Sequence, residues 1–329
     1  MPTRRRALLV LALLAVLAAA SLLAALMAGS LALGPGEVLA ALAGGSEGIG
    51  GEVVLGLRLP RALGAFACGG LLALAGALMQ VLLRNPLADP YVLGISGGAG
   101  VGALLALLFG LPLALVHGGA FAGAFAAMLL VFGLAHGDAS WTQARLLLTG
   151  VIVAAGAGAA IALVLSIAPE QKLHGMIFWL MGDAGQIGSP WPPLLVLVAG
   201  LGLSLPFARE LNLLARGETL AATLGVAVPR LRNGIYVLAS LLTATSVTAA
   251  GSIGFVGLVV PHLMRLALGN DQRLLLPAAA LAGGTLLTVA DTLARTVAAP
   301  QQLPVGVLTA LIGVPVFLFL LTRQPRGST

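Results

Sequence analysis

The side chains that could do chemistry in this chain are few and widely separated. Its four histidines are His117, His136, His174 and His262. None stands at i, i+4 from another, and no two share a cysteine or an acid at metal-ligand spacing. The single cysteine, Cys68, lies in an apolar run and has no partner for an intramolecular disulfide, so the redox compartment stays undetermined. These residue types in this arrangement predict neither a metal centre nor a nucleophile–base pair.

One acid stands well within an apolar stretch, and it has a base close by. Asp291 precedes Arg295 by four residues, which places both on one face of a helix. This spacing indicates a structural ion pair near the helix end, with a proton relay as the alternative. The glycine-dense run 97–102 is better explained by helix packing than by nucleotide binding. The chain has no phosphate-cradling loop that ends in Gly-Lys-Ser/Thr, so it is predicted not to be an enzyme.

The elements that position these residues are predicted to be membrane-spanning helices. Of the 329 residues, 59% are hydrophobic and 9% are charged, and the mean hydropathy is +1.08. An ordinary soluble domain has about 25% charged residues, so this chain cannot cover a water-exposed surface and must face lipid. The isoelectric point is near 11. It does not indicate nucleic acid as a partner, because the arginines lie singly or in small groups between apolar runs.

Ten apolar segments are candidates for crossing a bilayer. They lie at about 7–28, 62–83, 92–111, 114–135, 146–168, 190–208, 233–250, 252–268, 274–297 and 304–322. The segments 233–250 and 252–268 are nearly continuous, and only glycine and serine at 251, 252 and 254 indicate a turn. The predicted fold is therefore all-α: one polytopic transmembrane domain over residues 1–329, with about ten transmembrane helices.

The basic residues predict the orientation of these segments. With the N-terminus inside, 13 of the 17 basic residues lie inside, from Arg4 to Arg326, and four lie outside. The outer four are Arg58, Arg61, Lys172 and Arg295. Because cytoplasmic loops are enriched in Lys and Arg, both termini are predicted to be cytoplasmic. The basic start followed by an apolar run also fits a signal peptide, although this run is longer than a typical signal core.

Three connections between the apolar segments have informative compositions. The outer connection 29–57 is Gly-rich, carries Glu37, Glu47 and Glu52, and is expected to pack over the outer mouth. The outer connection 169–189 mixes charged and aromatic residues, which favours an interfacial helix.

The cytoplasmic connection 209–232 is predicted to form two short amphipathic helices that are broken at Gly217. Gly225 and Pro229 are expected to end the second helix. A structured cytoplasmic feature with apolar faces suits the docking of a separate soluble protein. The alternative is a helix pair that lies on the membrane surface without a partner.

Four stretches, in order, carry a resemblance to a known family. From residue 57 the chain reads LRLPRALGAFACGGLLALAGALMQVLLRNPLADPYVLGISGGAG. Later stretches read LNLLARGETLAATLGV (211–226), GSIGFVGLVVPHLMR (251–265) and LPVGVLTALIGVPVFLFLL (303–321). Over nearly its whole length the chain resembles the permease family of ABC importers for iron-siderophore complexes, haem and cobalamin.

This resemblance implies an assembly in the bacterial inner membrane. The permease would have ten spans and form a homodimer, with the pathway along the dimer interface. Two ATPase subunits, which bind ATP and Mg²⁺, would lie beneath it, and a periplasmic substrate-binding protein would dock above it. The permease itself would bind no cofactor and no metal.

The resemblance also assigns roles to individual residues. The expected docking residues for the binding protein are Arg58, Arg61 and Arg295, since arginine makes bidentate bonds to carboxylates. The expected cytoplasmic gate comprises Asn85, Leu87, Gln143 and Ala144. The expected ATPase-coupling residues are Arg216, Gly217 and Glu218. The family commonly has Glu before the LPVG stretch, where this chain has Gln302, and this weakens any acidic role there.

The function that the resemblance implies is ATP-driven import by alternating access. Haem or another iron complex is the favoured cargo, since Lys172, His174 and Met176 are candidates for an outer cavity that attracts such a ligand. A cobalamin importer of the same family is the alternative. An ion-coupled secondary transporter would instead need ionisable residues at the midplane, where only Asp291 stands. A membrane-embedded enzyme would need a buried His, Asp or Glu cluster.

Overall fold

The computed structural model describes residues 4–45, 48–135 and 142–323, and the described residues are helical with no strand. Glu47, His136 and Arg326 lie outside these described residues. The α-helices of the first half are α1 (Arg4–Met27), α2 (Pro35–Leu42), α3 (Ile49–Glu52), α4 (Leu59–Leu82), α5 (Ile95–Leu108), α6 (Leu113–Ala135), α7 (Gln143–Ile167) and α8 (Glu170–Met181). Those of the second half are α9 (Trp191–Ser204), α10 (Ala208–Ala215), α11 (Glu218–Thr223), α12 (Val228–Ala250), α13 (Val256–Leu268), α14 (Gln272–Thr296) and α15 (Val305–Arg323).

Seven helical stretches among the described residues are long and apolar enough to cross a membrane. They are Arg5–Met27, Ile49–Leu82, Leu113–Ala135, Gln143–Ile167, Trp191–Ala215, Val228–Ala250 and Gln272–Thr296. Three further apolar helices are shorter: Ile95–Leu108, Val256–Leu268 and Val305–Leu320. Each of the ten predicted segments overlaps one of these helices. The all-α fold is confirmed, whereas ten crossings remain a prediction because three helices are short.

Helix α4 is the centre of the fold. It packs against α14, α12, α13 and α9, and nearly all of its residues from Ala62 to Leu82 are buried. The helical path begins at Ile49, well before the predicted start at 62, and includes a π-helical turn at Val53–Arg58. The connection 29–57 is therefore largely helical. A π-turn changes which face each later residue occupies, so it determines the direction of the arginines that follow.

Close helix contacts in this fold depend on glycine. In α5 and α6, Gly98 faces Gly123 and Gly102 faces Gly119, each backbone lying against the other. A side chain at any of these positions would enter the space of a backbone carbonyl. Small residues of this kind allow helices within a membrane to approach closely. The interpretation of the run 97–102 as a helix-packing surface is confirmed.

Alanine substitution of two nearby glycines on α6 should separate packing from helix propensity. Gly123→Ala is expected to lower the free energy of unfolding by about 1–3 kcal/mol, because the new methyl group would press on the carbonyl of Gly98. Gly118 has open space around it, so Gly118→Ala should be neutral or stabilising by up to about 1 kcal/mol. Thermal unfolding of the purified protein in detergent measures both. Equal unfolding midpoints for the two variants would refute the packing role of Gly123.

The predicted breaks at Gly217 and after Ala250 are confirmed, whereas Pro229 lies in the first turn of α12 and does not end α11, which stops at Thr223 just before Gly225. Helix α12 ends at Ala250 and α13 begins at Val256, and Gly251 and Phe255 between them both have positive φ, at 72° and 68°. In the cytoplasmic connection, Gly217 (φ 136°) separates α10 from α11. A positive φ of this kind is strained for most side chains, which favours glycine at 217 and 251, whereas Phe255 adopts it as the residue that precedes α13.

Candidate functional site

The side chain of Arg58 is directed at the end of the first helix. Only 6% of the residue is exposed. Its Nη1 donates to the carbonyl oxygens of Leu26 (2.7 Å) and Met27 (3.0 Å), and its Nη2 donates to that of Leu31 (2.5 Å). A side chain at Gly29 would lie 2.6 Å from Nη2, so glycine is needed for this approach. Arg58 therefore satisfies carbonyls that a helix end leaves without intrahelical partners.

Arg295 of α14 binds the same end of α1 from the other side. Its Nη1 donates to the carbonyl oxygen of Ala28 at 2.7 Å, and its Nη2 donates to that of Ala25. The C-terminal end of a helix carries partial negative charge, so two guanidinium groups stabilise it electrostatically as well. Arg58 and Arg295 thus hold α1 against α4 and α14.

Arg61 makes a different contact, with the buried acid of α14. Its Nη2 lies 2.8 Å from Oδ1 of Asp291, and its Nε lies 3.1 and 3.0 Å from the two carboxylate oxygens. Asp183 lies 3.6 Å away, and Nη1 donates to Oε1 of Gln302 at 3.1 Å. The Arg61 side chain is 17% exposed and that of Asp291 is 3% exposed. We name Arg61, Asp183, Asp291 and Gln302 the outer polar cluster.

The expected ion pair between Asp291 and Arg295 is present but secondary. Nε of Arg295 lies 3.9 Å from Oδ2 of Asp291, whereas Arg61 binds both carboxylate oxygens. Sequence reasoning missed Arg61 as the principal partner because 230 residues separate it from Asp291. One feature of the sequence could have indicated this pair: a single acid lies within a span, and several arginines are predicted on the same outer side of the membrane.

The three expected docking arginines therefore differ in accessibility. Arg58 and Arg295 direct their guanidinium groups inward to α1, and Arg61 is the most exposed of the three at the outer polar cluster. Their role in docking stays a prediction. The geometry makes Arg61 the residue on which that prediction is best tested.

A second polar cluster joins four elements at the opposite end of α4. Oε2 of Glu218 lies 3.0 Å from Nη1 of Arg232, and its Oε1 lies 3.4 Å from Nε2 of Gln143 and 4.0 Å from Nη2 of Arg84. Arg84 also donates to Oε1 of Gln143 at 3.1 Å, and Gln143 donates to the carbonyl oxygen of Leu82 at 3.1 Å. We name Arg84, Gln143, Glu218 and Arg232 the inner polar cluster. It brings together residues that were expected to belong to the gate and to ATPase coupling.

The remaining gate and coupling residues lie around this cluster. Oδ1 of Asn85 accepts a bond from the backbone N–H of Leu87 at 2.9 Å, which closes a tight turn. Ala144 is exposed in the first turn of α7, next to Gln143, and Arg216 is exposed at the end of α10.

Asp89, in the connection between α4 and α5, has a carboxyl group with a raised pKa. Burial raises the pKa of Asp89 to about 6, while a hydrogen bond from the N–H of Tyr91 at 2.8 Å acts in the opposite direction.

The residues expected to form an outer cavity do not meet in one. Nζ of Lys172 donates to the carbonyl oxygen of Leu108 at 2.7 Å, at the end of α5. The ring of His174 lies 5.9 Å from that of Phe178, and Met176 is fully buried in the main core. None of the three expected residues lines the cavity of about 490 Å³ at α15, or the cavity of about 780 Å³ between α9 and α12. Their role as a cargo site stays a prediction.

The helices and the two polar clusters define a multi-pass α-helical membrane protein. Among the described residues, no group of three or more His, Cys, Asp or Glu side chains could hold a metal ion. Residues 14–323 match the FecCD transport family, so the chain belongs to this family of ABC importer permeases. Members of this family are transport subunits, and the resemblance inferred from the sequence is confirmed.

Several relatives are similar over most of the chain. The hemin transport system permease protein HmuU of Yersinia pestis is 45% identical, with 83% of this chain and 84% of the relative covered. The Fe(3+) dicitrate transport system permease protein FecD of Escherichia coli is 44% identical, covering 83% and 86%. The vitamin B12 import system permease protein BtuC of Salmonella schwarzengrund is 39% identical, covering 98% and 96%.

A solved structure supports the same fold. A metal-chelate type ABC transporter in an inward-facing conformation aligns with a TM-score of 0.83 and 32% identity. The alignment covers 97% of this chain and 100% of that chain.

Proposed function

We propose that the chain is the permease subunit that imports haem or another iron complex across a bacterial inner membrane. The observation that carries the proposal is family membership over residues 14–323, together with 45% identity to a hemin permease and 44% identity to an iron-dicitrate permease. Import of cobalamin is the second candidate, because a cobalamin permease matches over 98% of the chain.

In the proposed mechanism the chain crosses the membrane ten times and both termini are cytoplasmic. Two copies form the pathway at their interface, and a loaded binding protein docks on the outer side. ATP binding and hydrolysis in two partner subunits move α10 and α11. The permease then alternates between outward-open and inward-open states. The contacts of Glu218 with Gln143 and Arg232 support this mechanism, because they connect α11 directly to α7 and α12.

Transport by the reconstituted complex tests the cargo. The permease is combined in liposomes with its cognate ATPase and binding protein, and uptake of haem, a ferric siderophore and cobalamin is compared. We expect ATP-dependent uptake of haem or of the ferric siderophore. Uptake of cobalamin alone would establish the second candidate, and no ATP-dependent uptake of any of the three would refute the proposal.

Arg61, the most exposed of the three outer arginines, is the residue for a docking test. Because Arg61 also pairs with Asp291, the unfolding midpoint of each variant is measured beside its affinity. Arg61→Glu is expected to weaken binding of the loaded binding protein by at least about tenfold, since charge reversal replaces a bidentate partner of carboxylates with a repelling group. Arg61→Gln keeps hydrogen-bonding capacity without the charge and should show a smaller loss. Binding to immobilised permease in detergent measures both.

Gln171→Glu is the matched control for docking. Residue 171 is exposed on α8, on the same proposed side of the membrane, so this variant adds negative charge away from the outer polar cluster. Its affinity should remain within about twofold of the parent, as is usual for a screened rim charge. The docking assignment would be contradicted if both Arg61 variants bound with unchanged affinity and their unfolding midpoints showed that both are folded.

A further inference from the structure

A cavity of about 780 Å³ opens between α9 and α12 at the level of α10. Its walls are largely apolar: Leu203, Phe207 and Leu224 line it, and each is more than half exposed. The buried side chain of Leu78, from the central helix α4, also lines it. A ligand in this cavity would therefore lie between the membrane-length helical stretches Trp191–Ala215 and Val228–Ala250 and reach the core of the protein. Volumes of this size suit small-molecule ligands with apolar bodies.

Three charged groups line the same cavity. Arg209 and Arg230 are exposed, and neither guanidinium group makes an ion pair or side-chain hydrogen bond with another described residue. The Oε2 atom of Glu210 is buried and also has no hydrogen-bond partner among the described residues. A buried carboxylate oxygen without a donor is costly, so a partner with an N–H group would stabilise it. The cavity thus combines an apolar interior with two cations and one anion that lack partners.

We propose that this cavity binds a phospholipid with a primary-amine headgroup, such as phosphatidylethanolamine. The lipid phosphate would bind Arg209 and Arg230, and the ammonium group would donate to Glu210. An acyl chain would lie against Leu203 and Phe207 and extend toward Leu78. Basic pockets between transmembrane helices bind lipid headgroups in this way. Glu210 distinguishes this ligand from a purely anionic lipid, whose headgroup offers the carboxylate no ammonium group.

The site would connect lipid composition to the cytoplasmic helices. Arg209 and Glu210 belong to α10, and Leu224 and Arg230 flank the connection from α11 to α12. A bound lipid would therefore contact both ends of the segment that is proposed to meet the ATPase. It would restrain α10 and α11 relative to α9 and α12.

Lipid binding to the full-length purified permease tests the proposal. Native mass spectrometry in detergent measures retention of phosphatidylethanolamine, phosphatidylglycerol and phosphatidylcholine with identical acyl chains, with inorganic phosphate as a competitor. We expect phosphatidylethanolamine to be retained best, and Arg209→Ala with Arg230→Ala to lower its affinity about 30-fold. This follows because each arginine near an anionic headgroup contributes roughly fivefold. Glu210→Gln should remove the preference over phosphatidylglycerol.

Two controls separate the site from general effects. Arg5→Ala with Arg273→Ala removes the same charge from exposed positions outside the cavity lining, and it should leave retention unchanged. Leu241→Trp fills the apolar part of the cavity without a charge change and should lower the retention of all three lipids. Unfolding midpoints establish that each variant is folded.

Four results would overturn the proposal. The first is equal retention of phosphatidylcholine and phosphatidylethanolamine, because choline has no N–H donor. The second is displacement of the lipid by inorganic phosphate, which would assign the arginines to free phosphate. The third is an equal loss in the control double variant. The fourth is unchanged lipid retention with weakened ATPase binding in the Arg209 and Arg230 variant, which would make the cavity a protein interface.

Discussion

Asp291→Ala is expected to lower the free energy of unfolding by about 3–5 kcal/mol, because it removes one partner of a largely buried ion pair. Both carboxylate oxygens of Asp291 bind Arg61 at 2.8–3.1 Å. Without them, the partners of the Arg61 guanidinium group among the described residues are Asp183 at 3.6 Å and Gln302 at 3.1 Å. Thermal or denaturant unfolding in detergent measures the loss.

A double-mutant cycle tests whether Asp291 and Arg61 stabilise the fold as a pair. If Asp291 and Arg61 stabilise the fold as a pair, Asp291→Ala with Arg61→Ala should be less destabilised than the sum of the single variants, by about 2 kcal/mol or more. Thr292→Ala is the neighbouring control, since its hydroxyl donates to the Thr288 carbonyl within α14, and it should change stability by less than about 1 kcal/mol. Strict additivity of the two single effects would show that the pair does not contribute as a unit.

The second large effect is expected at the inner polar cluster. Glu218→Gln should lower ATP-driven uptake by at least about tenfold while ATPase binding is retained. The carboxylate of Glu218 joins α11 to Arg232 of α12 at 3.0 Å and to Gln143 of α7 at 3.4 Å. Charge-assisted hydrogen bonds are about twice as strong as neutral ones, so the amide would transmit the movement of α11 less effectively. Uptake and ATP hydrolysis are measured together in liposomes, and their ratio reports coupling.

Two further variants distinguish coupling from stability. Thr223→Ala changes an exposed residue of α11 whose hydroxyl donates to the carbonyl oxygen of Leu220 in the same helix, and its uptake should equal that of the parent. Gln143→Ala removes the other side of the contact and should reproduce the loss seen with Glu218→Gln. If Glu218→Gln left uptake per ATP unchanged, the inner polar cluster would be structural only.

Local features of the sequence predicted the elements of this protein well. The scarcity of charge predicted an all-helical membrane protein, because lipid-exposed backbone must satisfy its hydrogen bonds within each helix. The break at Gly217 and the turn after Ala250 were also predicted, since glycine and the end of an apolar run act on their immediate neighbours. Family membership followed from long ordered motifs.

The start of the α4 path was predicted poorly. The sequence placed residues 49–57 in a connection, whereas they are helical and lead through a π-turn to Arg58. Hydropathy averages over a window and does not register a change of helical repeat. This turn directs Arg58 toward α1, so an arginine expected at a docking surface is largely buried.

The partners of the charged residues were decided only by the tertiary structure. The sequence by itself determined that four bases lie on one proposed side of the membrane and that one acid lies within a span. It did not determine that Arg61 binds Asp291 or that Gln143 meets Glu218, pairs separated by 230 and 75 residues. Hydropathy and helix breaks depend on adjacent residues, whereas these contacts exist because tertiary packing brings distant helices together. Spacing along the chain predicts which groups are present, and packing decides which of them meet.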